Sequence, residues 1–462
     1  MILTLRKKLI GDKDFYKRML AVMLPILFQN VITNFVSLLD NIMVGRIGTE
    51  QMSGVAIVNQ LIFVFNLALF GGLAGAGIFT AQYYGKGDSE GVKNTVRAKI
   101  WIALALVIAF GIAFIVFPDE LMSLFIHEGE DDIDLAKTLE FALQYIHIML
   151  IQMPIFAVIN IYASTLREEG KTRLPMIASF VAVFVNLFFN WVLIYGKFGV
   201  PALGVRGAAI ATVIARITEA CIIVVKSRDD FKGVYSTMKV PKELAEQIAM
   251  KGMPLLINEV LWSSGMTTLI QIMSLKGIEV ISAENISNTV ANLFFCAFFA
   301  MGTTVSVMIG QLLGAGKLGQ AIDEDRKLIF FAVVLSTVVG IIMILIAPFV
   351  PRIYNTTELV KALAVKFLII NAIMMPFNAF SNTCYFTLRS GGKVLITFLY
   401  DSVYLWVLAI PITKLLVTYS SFDVVTIYAC SYFIDIVKVI LGYILVKKKS
   451  WVNNLVESDE LL

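Results

Sequence analysis

Apolar residues along this chain gather in runs of about 20, parted by short polar stretches. Strict alternation is not the pattern, nor is the one-sided stripe of a helix half-wetted by solvent. A run of that length matches a bilayer core of about 30 Å. In hydrocarbon every backbone amide must find its partner within its own segment, so each run is expected to be a helix. Twelve are read, near 19–44, 53–84, 98–117, 138–165, 174–195, 205–226, 250–274, 281–313, 328–347, 359–387, 394–418 and 424–446. Several exceed the length a bilayer needs and are expected to tilt, bend or project beyond it. A β-barrel would show short alternating segments instead. The expected fold class is an all-α polytopic membrane protein.

Composition agrees with the pattern. Of 462 residues 58% are hydrophobic and 16% charged, and the mean hydropathy is +0.82; soluble domains carry about 25% charged residues. The net charge of +4 does not imply nucleic-acid binding, because the basic residues sit in short loops. Those loops fix a direction. The N-terminus, the even-numbered loops and the C-terminal tail hold 27 of the 38 Lys and Arg, with Lys86, Lys93, Arg97 and Lys99 counted to the loop that leads into the third span. By the positive-inside rule both termini are expected in the cytoplasm. The first span is too long for the apolar part of a cleaved signal. The loop after the third span is acidic (Glu128, Glu130, Asp131, Asp132, Asp134) and reads as a solvated turn. The basic stretch Lys447 to Trp451 reads as an interfacial anchor. Cys221, Cys296, Cys384 and Cys430 lie in apolar runs and read as small buried hydrophobes. His127 and His147 have no ligand-like company. No phosphate-binding loop, metal-spaced His/Glu cluster or serine elbow is present, so neither an enzyme nor a cofactor is expected.

The chain also repeats itself. At an offset of 229, Pro25 falls on Pro254, Ser53 on Ser282, Asn59 on Asn288, Gln82 on Gln311, Gly85 on Gly314 and Gly87 on Gly316. At an offset of 222, Pro154 falls on Pro376, Asn160 on Asn382, Arg167 on Arg389 and Gly170 on Gly392. This ordered series implies two six-helix lobes in parallel orientation: residues 1–226, a charged linker 227–247, and 248–462 with a short basic tail. Two related lobes with a site between them is a recurrent transporter plan.

The same residues resemble the multidrug and toxic compound extrusion family. Leu24 and Pro25 through Asp40, Asn41 and Gly45 look like its first span. Gly207 to Thr212 resembles its sixth, Gly252, Met253, Pro254 and Glu259 the start of its seventh, and Leu388, Arg389 and Gly391 the end of its tenth. The resemblance covers nearly the whole chain. It implies a monomeric antiporter of the cell membrane that exports small organic, often cationic, compounds in exchange for H⁺ or Na⁺. A lipid or lipid-linked oligosaccharide flippase of the same superfamily is the alternative.

Ionisable residues inside apolar runs are costly, so each is a candidate for function. Asp40 is a carboxylate in the outer half of the first span. Asn186 and Asn190, four residues apart, share a face of the fifth, and Thr212 lies in the sixth. One carboxylate with amide and hydroxyl oxygens suits a hard monovalent cation, and the resemblance places a cation site on these four residues. Its DinF-type branch carries aspartate where this chain has Asn190. Glu259 matches the seventh-span glutamate of the NorM-type branch, whose tenth-span aspartate is Asn378 here. Asp401 in the eleventh span is a further candidate for the C-terminal lobe, paired with Tyr404 or a neighbouring helix. Two structural ion pairs are also expected: Arg216 with Glu219, and Asp435 with Lys438. Each pair is spaced i, i+3, and at an offset of 219 they coincide with their signs exchanged.

Overall fold

The computed structural model describes residues 9–123, 135–354 and 356–457. The acidic loop with His127 lies outside the described residues. Twelve long helices follow in order: α1 Lys13–Gly45, α2 Thr49–Lys86, α3 Ser89–Val116, α4 Leu135–Glu168, α5 Arg173–Tyr195, α6 Val205–Lys226, α7 Lys242–Ser274, α8 Ile278–Gly314, α9 Leu318–Ile346, α10 Glu358–Ser390, α11 Val394–Tyr419 and α12 Val424–Lys447. Among the described residues there is no strand. Eleven of the helices are long and apolar enough to cross a membrane. The other, α7, has the length at 33 residues but carries Lys242, Glu243, Glu246, Lys251 and Glu259. The protein is an all-α polytopic membrane protein, six helices to each lobe.

The duplication is legible in the helices. Pro25 and Pro254 lie inside α1 and α7, Pro154 and Pro376 inside α4 and α10. An internal proline removes one backbone bond, so each lobe carries its missing donors in the same places. The longest helices are also equivalent: α2 with 38 residues and α8 with 37. At 1.5 Å per residue each is about 55 Å long, well beyond a bilayer core. Helix α11 departs from the plain pattern. Leu399–Val403 and Leu405–Ala409 are π-helical turns. Such turns shift the side-chain register and often mark functional positions; the first holds Asp401 and Ser402.

The chain forms two compact units. One is Met1–Leu27, Ala81–Asp88 and Ile257–Leu461; the other is essentially Phe28–Thr80 and Ser89–Leu256. The first unit thus includes the start of α1 and the end of α2, and the second the start of α7, which the division at the linker does not anticipate.

In the second unit, α3 begins nine residues before the run that announced it. Arg97 and Lys99, counted in a loop, are inside this helix and buried. Partners distant in sequence explain it. Lys99 donates to Ser164 and Thr165, both at 3.1 Å, and pairs with Glu168. Arg97 donates to the carbonyl of Val234 at 2.9 Å. The linker is held down further by Trp101, which donates to the Met238 carbonyl at 3.0 Å, and by Phe231 stacked on Tyr162 at 4.0 Å.

In the first unit, the repeated glycines serve a close crossing. A Cβ on Gly85 would overlap the Gln311 carbonyl, and one on Gly314 would overlap the Gln82 carbonyl. The ends of α2 and α8 therefore pack reciprocally, each glycine against the glutamine of the other's motif. Gln82 also binds the tail: its Oε1 accepts from Leu455 N–H at 2.7 Å, and its Nε2 donates to the Ser390 carbonyl at 3.0 Å. Trp451 is not an interfacial anchor. It is fully buried, because Gly391 lets the tail backbone lie against the end of α10.

Candidate functional site

Near the end of α1, Asp40 accepts a hydrogen bond at Oδ1 from Asn190 Nδ2, at 2.7 Å. Asn190 Nδ2 is also 3.1 Å from Asn186 Oδ1, as the i, i+4 spacing on α5 requires. Asn186 Nδ2 lies 3.4 Å from Thr212 Oγ1 on α6. With its amide turned over, a choice that coordinates alone leave open, Asn186 would donate to Asp40 Oδ1 at 2.9 Å. Asp40, Asn186, Asn190 and Thr212 thus form one cluster within one unit. Both asparagines are buried, and Asn190 Oδ1 has no hydrogen-bond partner. Tyr145 on α4 stands beside them, next to Thr212 and Asp40. Nothing in its surroundings in the sequence distinguishes it from a core tyrosine.

One turn beyond Thr212 stands Arg216, whose charge also reaches Asp40. It makes the i, i+3 pair with Glu219, Nη1 to Oε2 at 2.7 Å, and its guanidinium lies 5.0 Å over the Phe156 ring. Glu219 accepts in turn from Ser179, which accepts from Gln29 at 2.7 Å. A polar thread therefore runs from α1 through α5 to α6 behind the cluster.

The other unit gathers a different set. Asp401 sits between Lys438 Nζ on α12, 2.7 Å from Oδ1, and Asn258 Nδ2 on α7, 3.2 Å from Oδ2. Asn258 accepts at Oδ1 from Ser402, at 2.7 Å. Glu259, next along α7, is half-buried and lies under the charges of Arg389 and Asp401. Asn378 is half-buried, and among the described residues no hydrogen bond ties it to this set. The expected pair within α12 is corrected here. Lys438 meets Asp401 of α11 rather than Asp435, since α12 is interrupted before Ile436 and the π turn brings Asp401 within reach. Asn258, Ser402 and Glu284 were missed. Glu284 had a readable signal, being an ionisable residue in the eighth apolar run.

Among the described residues no three His, Cys, Asp or Glu could hold a metal together. The Asp40 cluster offers one carboxylate with neutral oxygens, a donor set for a proton or a hard monovalent ion.

The MatE family model matches residues 25–192 and 254–415, more than half of the chain. The chain belongs to the MatE family. Its two matched stretches begin at Pro25 and Pro254, the first pair of the internal repeat. Among curated MatE relatives, a probable multidrug resistance protein NorM of Thermotoga maritima is 26% identical over 412 residues, 88% of this chain and 86% of its own length. The probable multidrug resistance protein YoeA of Bacillus subtilis is 24% identical over 96% of both chains. In fold, the protein is similar to an outward-facing multidrug resistance MATE transporter of the MOP superfamily (TM-score 0.85, 18% identity, 96% of this chain and 97% of that one). A Vibrio cholerae MATE transporter gives a TM-score of 0.86 at 16% identity, over 96% of this chain and 98% of that one.

Proposed function

We propose that this MatE protein is a secondary active antiporter. It exports small organic, often cationic, compounds across the cell membrane in exchange for H⁺ or Na⁺, with both termini in the cytoplasm. The names of its relatives support multidrug efflux. The observation that carries the coupling is the carboxylate of Asp40 among the amides of Asn186 and Asn190, with a buried Asn190 oxygen left over.

As an anion, Asp40 is held by amide N–H donors. Binding of H⁺ or Na⁺ removes its net charge and the reason for that arrangement, and the two amides can then present oxygens instead. Drug and ion must favour opposite conformations, and each shifts the equilibrium only by its differential affinity. Neutralisation of Asp40 supplies that difference in one unit. Glu259 and Asp401 face the substrate or a second ion in the other.

The test is Asp40→Asn in proteoliposomes under an imposed Na⁺ or pH gradient. The variant retains substrate binding within roughly tenfold, about 1.4 kcal/mol, and loses gradient-driven export. Normal uphill export by this variant refutes the assignment.

A further inference from the structure

The start of α7 belongs to the same unit as the linker, α3 and most of α2. Together these elements line a cavity of about 370 Å³, within the range of roughly 300–1,000 Å³ that ligand pockets occupy. One face of α7 supplies Ala245, Ile248, Ala249, Gly252, Met253 and Leu256, at the three- and four-residue spacing a helix face requires. Ala98, Trp101 and Ile102 repeat that spacing on α3, and Val240 of the linker and Gly72 of α2 complete the lining. Five of these eleven residues are Gly or Ala, which is what leaves the room. Beside it α2 and α7 touch backbone to backbone: a Cβ on Gly75 would come 2.5 Å from the Gly252 Cα.

Chemistry, length and charge together say what occupies it. Among the described residues no charged side chain lines the cavity, and the indole N–H of Trp101 is taken by the Met238 carbonyl at 3.0 Å. Water wants two to four polar partners and an ion a counter-group, so the occupant is apolar. Trp101 is 51% exposed and Met253 57%, and Trp101 heads an exposed stripe with Leu104, Ile108, Ile112 and Ile115 that lipid must cover. Lipid chains therefore reach the cavity from the side. From Ala245 to Leu256 α7 rises about 16 Å at 1.5 Å per residue, half of a bilayer core of about 30 Å and so the depth of one leaflet's chains. Ile102 and Leu256 stand 13 and 14 residues into their helices, so α3 and α7 reach that depth together. The charge lies beyond the apolar part. Lys242 stands one turn before Ala245 on the same face of α7, Lys239 precedes Val240, and both are exposed. Residues 226–242 hold five basic and two acidic side chains, and a basic cluster beside apolar spans attracts anionic lipid. Glu246 lies 3.7 Å from Lys242 with both side chains mostly exposed, a weak pair that leaves the lysine available.

We propose that this cavity seats one acyl chain of an anionic phospholipid from the leaflet beside the linker, with the lipid phosphate at Lys239 and Lys242. Trp101 joins the two zones, its ring against the chain and its N–H toward the linker, as tryptophan does at a membrane interface. The lipid completes the packing between α3 and α7 and reinforces the hold that Arg97 and Trp101 have on the linker carbonyls. The proposal requires only that the protein spans a membrane. It is independent of the coupling ion and of the compound exported.

The test uses the full chain in phosphatidylcholine nanodiscs that carry a small share of lipid with brominated acyl chains, which quench tryptophan on contact. The Trp101 signal is the difference between the unaltered protein and Trp101→Phe. Brominated phosphatidylglycerol quenches it along a saturating curve, complete at a share too small for bulk contact to matter. Brominated phosphatidylcholine quenches it only in proportion to its share. Ala249→Phe puts a ring into the cavity from an exposed position and makes the phosphatidylglycerol quenching proportional as well. Lys239→Gln with Lys242→Gln raises the half-saturating share by about fivefold or more. Gel filtration checks that the variants are folded. Should Ala249→Phe fail to fold, the comparison of the two lipids and the double lysine variant decide. Proportional quenching by phosphatidylglycerol in the unaltered protein overturns the proposal, as do equal curves for the two lipids. So does a curve left within about twofold by a folded Ala249→Phe or by the double lysine variant.

Discussion

Removing Arg216 perturbs the polar thread beside Asp40 with sizes that follow from exposure. The Glu219 side chain is 3% exposed and that of Arg216 is 30%. Arg216→Ala leaves Glu219 buried with the Ser179 hydroxyl and the more distant charge of Arg167 to answer it. Breaking a buried pair in this way costs about 3–5 kcal/mol, and the partial exposure of Arg216 puts this case at about 3 kcal/mol. Glu219→Ala instead leaves the less buried member of the pair, a guanidinium that keeps its contact with the Phe156 ring and the nearby charge of Asp40; it should cost less, about 1 kcal/mol. Replacing both with Met removes both charges and should recover most of the loss. Exchanging the two residues keeps the charges but takes the carboxylate away from Ser179, so it should fall between the single variants. The assay is the midpoint of thermal unfolding in one detergent at fixed lipid content, with transport measured well below that midpoint. The expected order of damage is Arg216→Ala, then the exchange, then Glu219→Ala. A Glu219→Ala protein less stable than Arg216→Ala refutes the reasoning. So does an Arg216→Ala protein of unchanged midpoint that has lost only transport.

Other variants probe the packing under both units. Gly85→Ala and Gly314→Ala push a methyl into backbone carbonyls and should each cost about 3 kcal/mol or more, whereas Gly319→Ala meets open space and should be neutral; equal midpoints for all three would contradict the reciprocal crossing. Asn258→Ala takes the amide donor from one oxygen of Asp401, while Ser402 keeps the carbonyl of residue 258, and should lower stability by about 1–2 kcal/mol, readable as a lowered unfolding midpoint. Lys99→Ala removes a fully buried ammonium that meets Glu168, Ser164 and Thr165 and should cost about 3 kcal/mol. Lys242→Ala breaks an exposed i, i+4 pair with Glu246 and should cost less than about 1 kcal/mol; the two midpoints side by side check the contrast.

The twelve helices were legible because each rests on a local cause. An apolar run of spanning length has only one way to satisfy its backbone in hydrocarbon. Where the outcome depended on distant partners, the pattern failed. Nothing local says that Arg97 and Lys99 belong inside α3; they are tolerated there because Glu168 and the linker carbonyls meet them. The tail is a similar case. Trp451 beside Lys447 to Lys449 has the composition of a membrane-surface anchor, yet a bare glycine just past the end of α10 offers it a buried seat. The π turns of α11 leave no mark either, since the extra residue in each turn is set by how neighbouring helices pack.

The candidate sites divide along the same line. Asn186 and Asn190 could be joined from spacing alone, because one helix face holds both. That Asp40 lies 2.7 Å from Asn190, 150 positions away, was reachable only through the family resemblance. The α12 pair shows how spacing misleads. Asp435 and Lys438 satisfy i, i+3, but a lysine side chain is long and takes the better partner, and the π turn holds Asp401 within its reach between two tyrosine rings. A charge in an apolar run therefore states a demand that sequence can read, while the supply is a property of the fold. Lys438, Glu219 and Asp40 each find that supply in another side chain. Glu284 Oε2 does not, and that buried oxygen marks a demand which, among the described residues, no side chain meets.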